Sequence, residues 1–444
     1  MSINHTREMI PATLGQPGAA NFWLAVVFTG IGAGIGAAML TSLLSAIQHW
    51  VWPPANANLL EAAMRTAAWH HIWVLLIAGL LTGSAQIVLG RLTSANGIEI
   101  STAIWFKAGR MPALRTLGSA VLSIVIVAMG APLGREGSPK QAGAVIANLL
   151  SDRQKLSDEQ RRLLVACGAG AGMAAAYDVP LGGALFALEV LRGALALRLV
   201  LPALTAALIA TAVSWIALPD APTYSIPVFG SPMSSIVWGL VAGPIAGVVS
   251  VGYVRLIALA DRYRPKGWWR LAAPALTLAA IGAVSIPFPQ ILGNGKDVAQ
   301  LAFLGQVAPA LLLSLLVLKP LATALSLGSG APGGLFTPTL TLGALLGGTL
   351  GHIWTWIWPG VPPGLFALIG AGAVLAATTQ GPLSAVVLMI ELTGHDRSFV
   401  VPLLLAVAAA TLVARTIDRR SIYDARLTDA ELAERQALRD PPAH

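Results

Sequence analysis

The chain has 444 residues, of which 56% are apolar and only 11% are charged, and its mean hydropathy is +0.73. This composition excludes an ordinary soluble globular domain and indicates a membrane protein. The net charge of +8 does not indicate nucleic-acid binding, because the basic residues are scattered over many loops and form no patch.

Apolar stretches recur along the whole chain. About 20 such residues cross a bilayer, so the longer stretches predict full crossings. Shorter stretches interrupted by Gly and Pro predict re-entrant half-helices. In chain order the stretches are Phe22–Ile47, Ile72–Leu89, Leu117–Leu133, Leu163–Leu188, Leu199–Leu218, Ile236–Leu259, Leu271–Ile291, Ala308–Leu327, Leu340–Trp358, Leu365–Ala377 and Phe399–Leu412. The sequence therefore predicts an all-α polytopic membrane protein.

The ends of the chain and its chemical groups add several expectations. The first 20 residues are polar, so we expect no cleavable signal, and neither end leaves room for a large regulatory domain. We expect the charged tail after Tyr423 to be solvated. The lone Cys167 excludes an intramolecular disulfide. No His/Asp/Glu cluster has metal-ligand spacing, so no metal or other cofactor is expected.

The distribution of basic residues predicts an orientation. Four loops, the tail from Arg415 and Arg7 hold 22 of the 28 Lys and Arg, whereas 199–254 and 320–396 hold none. The positive-inside rule then places both termini in the cytoplasm and the loop Pro219–Ser235 outside. For a bacterial protein this corresponds to a multi-pass protein of the inner membrane.

The chain contains an internal repeat. At an offset of 202 residues, 168–190 aligns without gaps with 370–392. Shared residues include Gly168/Gly370, Pro180/Pro382, Leu181/Leu383 and Glu189/Glu391. This match predicts that each half of the chain carries the same helix, opened by a Pro-Leu pair and ending near a glutamate.

A second, weaker match at an offset of 199 aligns the sequence GREGSP (134–139) with GGLFTP (333–338). Each half thus has a Gly-rich break before its repeated helix, and the flanking charges predict opposite orientations for the halves. The predicted organisation is a cytoplasmic segment 1–20, a first membrane repeat 21–215, an external loop 216–232, a second membrane repeat 233–415 and a cytoplasmic tail 416–444.

Such breaks suit anion binding. A half-helix that begins inside the membrane directs free backbone N–H groups and the positive end of its dipole at the break. Two opposed half-helices then form an anion site without a full positive charge. Because conduction requires weak binding, a lysine at this place would hold chloride too tightly.

Glu136 lies within the first break, where a charge at bilayer depth costs about 3 kcal/mol and is seldom without function. An ionised Glu136 would occupy the anion site itself, and a protonated or displaced one would open it. A structural ion pair with Arg135 is the plainer interpretation. The sequence favours a gate that competes with the transported anion.

These motifs together resemble a known family. The sequences GREGSP, GAPGGLFTP and AAAYDVPLGGALFALEV, with the tyrosine of RRSIYDA, are similar to motifs of the CLC chloride channels and transporters, in particular the bacterial ClcB-type branch. The resemblance covers about 20–425 in family order. It implies the CLC fold, with two inverted-topology repeats, re-entrant broken helices and one pore per subunit.

The resemblance also implies functional residues and partners. Glu136 matches the external gating glutamate, and the backbone amides of Gly137, Leu335 and Phe336 match anion ligands. Tyr423 matches the tyrosine that closes the inner side of the central ion site. Chloride is then the substrate. Family members are homodimers in the lipid bilayer, here through helices near 171–215 and 382–412.

Two positions depart from the family pattern. The first anion motif, usually Gly-Ser-Gly-Ile-Pro, is degenerate at 93–99, so its serine ligand corresponds to Ala95 or Asn96, with Ser94 as a third choice. At Val190 the proton-coupled members carry a glutamate that accepts the internal proton. Since valine cannot titrate, the proton pathway through Glu136, Glu189 and Val190 is doubtful, and channel-like or weakly coupled transport is expected.

Three alternatives remain open. A chloride or fluoride/proton antiporter would share the same fold. A sodium-coupled organic-solute transporter is compatible with the fold alone, although no second carboxylate lies near the breaks. An intramembrane serine protease would use Ser138 with a distant histidine such as His352, but the preferred interpretation is not an enzyme.

Overall fold

The structure is a computed structural model. It describes residues 10–11, 16, 18–53, 58–92, 99–230, 233–394, 398–425, 427 and 429–439. The regular elements of the described residues are all helices, and the one β-bridge among these residues joins Gly134 to Gly334. The prediction of an all-α membrane protein is therefore confirmed.

Among the described residues of the first half of the chain there are nine helices. They are α1 (Ala19–Val51), α2 (Leu59–Arg65), α3 (Ala68–Leu92), α4 (Ile100–Phe106), α5 (Ala113–Ala128), α6 (Gly137–Arg153), α7 (Asp158–Tyr177), α8 (Pro180–Leu185) and α9 (Leu197–Ser214). A π-helical turn, Phe186–Arg192, continues α8.

The described part of the second half contains nine more helices. They are α10 (Met233–Arg262), α11 (Trp269–Val284), α12 (Lys296–Phe303), α13 (Pro309–Gly328), α14 (Phe336–Ile357), α15 (Pro363–Thr379), α16 (Pro382–Thr393), α17 (Val400–Ile417) and α18 (Asp429–Arg439). Short 3₁₀ turns lie at Pro289–Ile291 and Ile422–Asp424.

By length and composition, six of the described helices can cross a membrane: α1, α3, α9, α10, α13 and α17. Their apolar side chains face both the protein interior and the outside, as a lipid-facing surface requires. Other apolar helices, among them α5 and α15, have 16 and 17 residues. The described residues thus combine helices long enough to cross a membrane with shorter apolar helices.

The centre of the bundle holds α7 and α15, the helices that the repeat at offset 202 aligns. Every residue from Leu163 to Tyr177 and from Gly364 to Thr379 is buried. Both helices end in a left-handed residue, Asp178 at φ 57° and Gln380 at φ 59°, and a proline follows two positions later. Since proline cannot continue a helix, this pair of residues stops each central helix at the same place.

Small residues let the outer helices approach closely, and the contact recurs in both halves. A Cβ on Gly34 would lie 2.5 Å from the carbonyl oxygen of Ala210, which packs α1 against α9. A Cβ on Gly247 would lie 2.5 Å from that of Ala410, which packs α10 against α17. Such contacts drive helix association in lipid, where no hydrophobic effect pulls helices together.

The C-terminal tail differs from the sequence prediction. Arg435 on α18 is only 4% exposed, forms an ion pair with Asp424 and donates a hydrogen bond of 3.4 Å to the carbonyl oxygen of Val190. Its guanidinium also lies 5.3 Å from the ring centre of Trp105. The prediction of a solvated tail is therefore wrong at this residue. The long Arg435 side chain buries its aliphatic part and pairs with the buried Asp424 carboxylate.

Candidate anion site

The two Gly-rich breaks meet in the middle of the molecule. Gly134 and Gly334 exchange a pair of backbone hydrogen bonds, each 2.7 Å long. Three residues after Gly134 α6 begins at Gly137, and two residues after Gly334 α14 begins at Phe336. The amino ends of two helices, with their unpaired N–H groups, are thereby brought to one place.

Glu136 lies at this meeting point and is fully buried. Its Oε1 accepts a 2.6 Å hydrogen bond from the backbone N–H of Phe336. Its Oε2 accepts longer ones from the hydroxyls of Thr337, at 3.3 Å, and Tyr177, at 3.4 Å. The carboxylate therefore occupies the amino end of α14, which is where a free anion would bind.

Arg135 is not the ion-pair partner of Glu136. In the described chain the guanidinium of Arg135 takes no part in an ion pair, and it lies 4.8 Å from the ring centre of Tyr177. This cation–π contact leaves the Glu136 carboxylate to the helix end and the hydroxyls. The structure thus does not support the plainer interpretation of residues 135 and 136 as a structural pair.

Tyr177 and Thr337 belong to the site although the sequence analysis did not single them out. The hydroxyl of Tyr177 lies 2.9 Å from that of Thr337, and both face Glu136. Tyr177 is the last residue of α7, immediately before the left-handed Asp178. The sequence could have indicated Tyr177, because it is a tyrosine at the end of an apolar helix and directly before a helix break.

A cavity of about 80 Å³ lies on one side of Glu136. Gly137, Leu335 and Tyr423, three of the predicted anion-site residues, line it. The ring of Tyr423 packs edge-on against Phe186 with ring centres 5.6 Å apart. The structure thus brings the tyrosine of the tail region to the same cavity as residues from both helix ends.

A second cavity, of about 190 Å³, is lined by Arg135, Lys296 and Asp297 among others. Burial lowers the pKa of Lys296, and the neighbouring charge of Arg135 acts in the same direction. Burial also raises the pKa of the Asp297 carboxyl, while a hydrogen bond from Leu60 N–H opposes the shift. Arg135 lines one cavity and Gly137 the other, so the buried Glu136 lies between the two.

The repeated glutamates cap one another's helices. Glu391 accepts hydrogen bonds from Leu181 N–H at 2.9 Å and Gly182 N–H at 2.6 Å, at the start of α8. Glu189 accepts from Leu383 N–H at 3.1 Å and Ser384 N–H at 2.6 Å, at the start of α16. Each carboxylate thus satisfies the first free N–H groups after a proline that has none.

These caps predict a loss of stability when one of them is weakened. Glu391→Gln removes the charge that strengthens two hydrogen bonds. We therefore expect the free energy of unfolding to fall by about 1–2 kcal/mol. Thermal unfolding of the purified protein in detergent measures the change. Glu434→Gln, the same substitution at an exposed position, is the matched control, and an equal shift in both variants would contradict the capping role.

The remaining predicted residues have different outcomes. Val190 is buried, and the carbonyl of this residue is the one that Arg435 contacts. Ser94, Ala95 and Asn96, the three choices for the inner serine ligand, lie outside the described residues. The Oγ of Ser138 is buried and makes no hydrogen bond within the described chain, so no base activates it there as a protease nucleophile.

Comparison with known proteins identifies relatives over most of the chain. Residues 74–415 match the family model described as voltage gated chloride channel. A Ralstonia nicotianae protein named as chloride channel protein ClcB-like is 34% identical over 416 residues, which are 90% of this chain and 94% of the relative. The voltage-gated ClC-type chloride channel ClcB of Citrobacter koseri is 33% identical over 69% of this chain and 75% of its own.

Solved structures share the fold. The crystal structure of a slow cyanobacterial Cl⁻/H⁺ antiporter has a TM-score of 0.78 at 24% identity, covering 94% of this chain and 98% of the other. That of a CLC-type fluoride/proton antiporter has a TM-score of 0.66 at 22% identity, covering 89% and 97%. At these identities the structural comparison supports the architecture alone.

Proposed function

Because the chain belongs to the voltage-gated chloride channel (CLC) family, in its ClcB-type branch, we propose that it carries chloride through a pore gated by Glu136. The observation that carries this proposal is the 2.6 Å hydrogen bond from Phe336 N–H to a fully buried Glu136 carboxylate. A negative side chain already sits on the helix end that suits an anion. Removal or neutralisation of that side chain frees the position for chloride.

The pathway then runs from one cavity to the other past residues 135–137. Arg135 attracts anions at the larger cavity, and the amides of Gly137, Leu335 and Phe336 receive them at the helix ends. Tyr423 lines the smaller cavity and closes the pathway there. The helix ends and the Tyr423 hydroxyl contribute dipolar contacts, which suit the weak, multi-site binding that conduction needs.

Transport in this protein is channel-like or weakly coupled to protons. Val190 has no titratable group, and both oxygens of Glu189 are engaged by N–H groups and the Ser384 hydroxyl. Glu189 is therefore poorly placed to accept a proton in place of residue 190. The second candidate, a chloride or fluoride/proton antiporter, is favoured by the fold of the two antiporter structures.

The reversal potential separates these two modes. In proteoliposomes with a chloride gradient, we expect the reversal potential to equal the chloride Nernst potential and to stay there when a pH gradient is added. Simultaneous recording of external pH should show no proton movement beyond that of protein-free liposomes. A reversal potential displaced by the pH gradient would establish coupling and reject the channel-like mode, and absence of chloride flux would reject the proposed function.

We further propose the assembly and placement that the family implies. The repeats 21–215 and 233–415 are inverted copies, supported by the matching helix ends at Asp178 and Gln380. The protein is a homodimer through helices near 171–215 and 382–412, with one pore per subunit. It lies in the bacterial inner membrane with both termini cytoplasmic, and it uses no cofactor.

A further inference from the structure

Lys140 brings a full positive charge into the smaller cavity. It lies in the first turn of α6, three residues after Gly137, and is only 5% exposed. A cation is unfavourable there, because the helix dipole already places positive charge at its amino end. Burial of an unpaired ammonium costs several kcal/mol more. The fold therefore accepts a charge that neither helix stability nor burial explains.

The surrounding residues only partly compensate the buried charge of the Lys140 ammonium. The Nζ atom of Lys140 lies 5.0 Å from the ring centre of Phe186 and 4.8 Å from that of Tyr423. The carboxylates of Glu136 and Glu99 attract it, but within the described chain no carboxylate lies at ion-pair distance from Nζ. Two aromatic faces supply part of the lost hydration. A close negative partner is absent from the described residues.

Lys140 and Tyr423 both have hydrogen-bond donors available in the smaller cavity. Lys140 donates one long hydrogen bond, 3.5 Å, to the hydroxyl oxygen of Tyr423. An ammonium has three donors, so two of them have no hydrogen-bond partner among the described residues, and the Tyr423 hydroxyl keeps its own hydrogen. Both residues line the same cavity as Gly137 and Leu335. An anion in this cavity would meet donors from a lysine, a tyrosine and a helix end.

We propose that Lys140 is an additional ligand, and a selectivity-determining residue, of the anion position beside Tyr423, with the transported anion as the counter-ion of Lys140. This inference rests on the proposed chloride transport and deepens it. A compact ammonium is a site of high field strength, so it favours chloride over larger, weakly hydrated anions such as thiocyanate. It also holds each ion longer than backbone dipoles do, which slows throughput.

The test compares Lys140→Met with the wild-type protein. Isothermal titration of the purified protein in detergent with chloride should show a dissociation constant at least about tenfold higher in the variant, as expected for loss of one charge-assisted hydrogen bond. In proteoliposomes the variant should also gain thiocyanate permeability relative to chloride. Lys107→Met, which removes the same charge at an exposed position, should retain wild-type values in both measurements.

Lys140→Arg keeps the charge and should hold the chloride dissociation constant within about threefold of the wild type. If Lys140→Met does not fold, Lys140→Gln replaces it, with Arg as the charged reference. An unchanged dissociation constant and unchanged anion selectivity in the neutral variant would overturn the inference. Absence of chloride flux in the wild type would instead reject the proposed function, and the binding measurement would still decide the role of Lys140.

Discussion

Replacement of Glu136 by alanine should give chloride flux that no longer responds to pH. In the wild type the carboxylate occupies the amino end of α14 through its 2.6 Å bond to Phe336 N–H. Neutralising the carboxylate should raise chloride flux, because a neutral side chain no longer competes with the anion for that helix end. In Glu136→Ala that position is open at every pH, so flux should vary by less than about twofold between pH 7.5 and 5.

Chloride efflux from proteoliposomes at a series of pH values measures this response. Glu136→Gln, which resembles the protonated side chain, should behave like the alanine variant, and the exposed Glu61→Ala should keep the wild-type profile. A wild-type pH slope in Glu136→Ala would remove Glu136 from the gate. Loss of chloride flux in a correctly folded variant would show that the carboxylate assists chloride passage and does not compete with it.

A methyl group at Gly134 should open the gate while Glu136 remains in place. A Cβ built on Gly134 would lie 2.2 Å from both carboxylate oxygens of Glu136, and its three closest neighbours all belong to that carboxyl group. A flexible side chain can leave, so Gly134→Ala should displace the carboxylate from Phe336 N–H. We expect chloride flux at pH 7.5 to rise toward that of Glu136→Ala, by up to about tenfold.

The double variant Gly134→Ala/Glu136→Ala tests whether the two changes act through the same contact. Their effects on flux should not add, because the methyl group has no carboxylate to displace once residue 136 is alanine. Gly334→Ala is the contrasting variant. Its Cβ would lie 2.0 Å from Glu136 Oε1 but also 2.9 Å from the backbone nitrogen of Gly137. Since backbone cannot move aside cheaply, we expect this variant to unfold at lower temperature. Additive flux effects would contradict the shared contact.

The features that could be predicted from the sequence are those that depend on residues close together in the chain. Glycine and proline interrupt helices wherever they occur, so the breaks around 134–139 and 333–338 were evident from composition. The hydropathy of Leu163–Leu188 nevertheless predicted one continuous stretch, whereas the structure ends α7 at Tyr177 and begins α8 at Pro180. Averaged hydropathy does not register a single left-handed residue such as Asp178.

Contacts between distant parts of the chain could not be derived in this way. The bond between Glu136 and Phe336 joins residues 200 positions apart, and no periodicity fixes which donor a carboxylate will meet. Lys140 directly follows the motif GREGSP (134–139). Since Glu136 already gave that segment a functional charge, the sequence did not point to a second one at Lys140. Arg435 was assigned to solvent because its neighbours in sequence are polar, although its partner Asp424 is buried.

The exchanged glutamate caps have a consequence for biosynthesis. The amino end of α8 is completed only by Glu391, more than 200 residues later in the chain. The ribosome synthesises the chain from its amino terminus. The N–H groups of Leu181 and Gly182 therefore lack their native partner until nearly the whole protein has been made. The two halves therefore reach their final form together, and the last helices to be made complete the first.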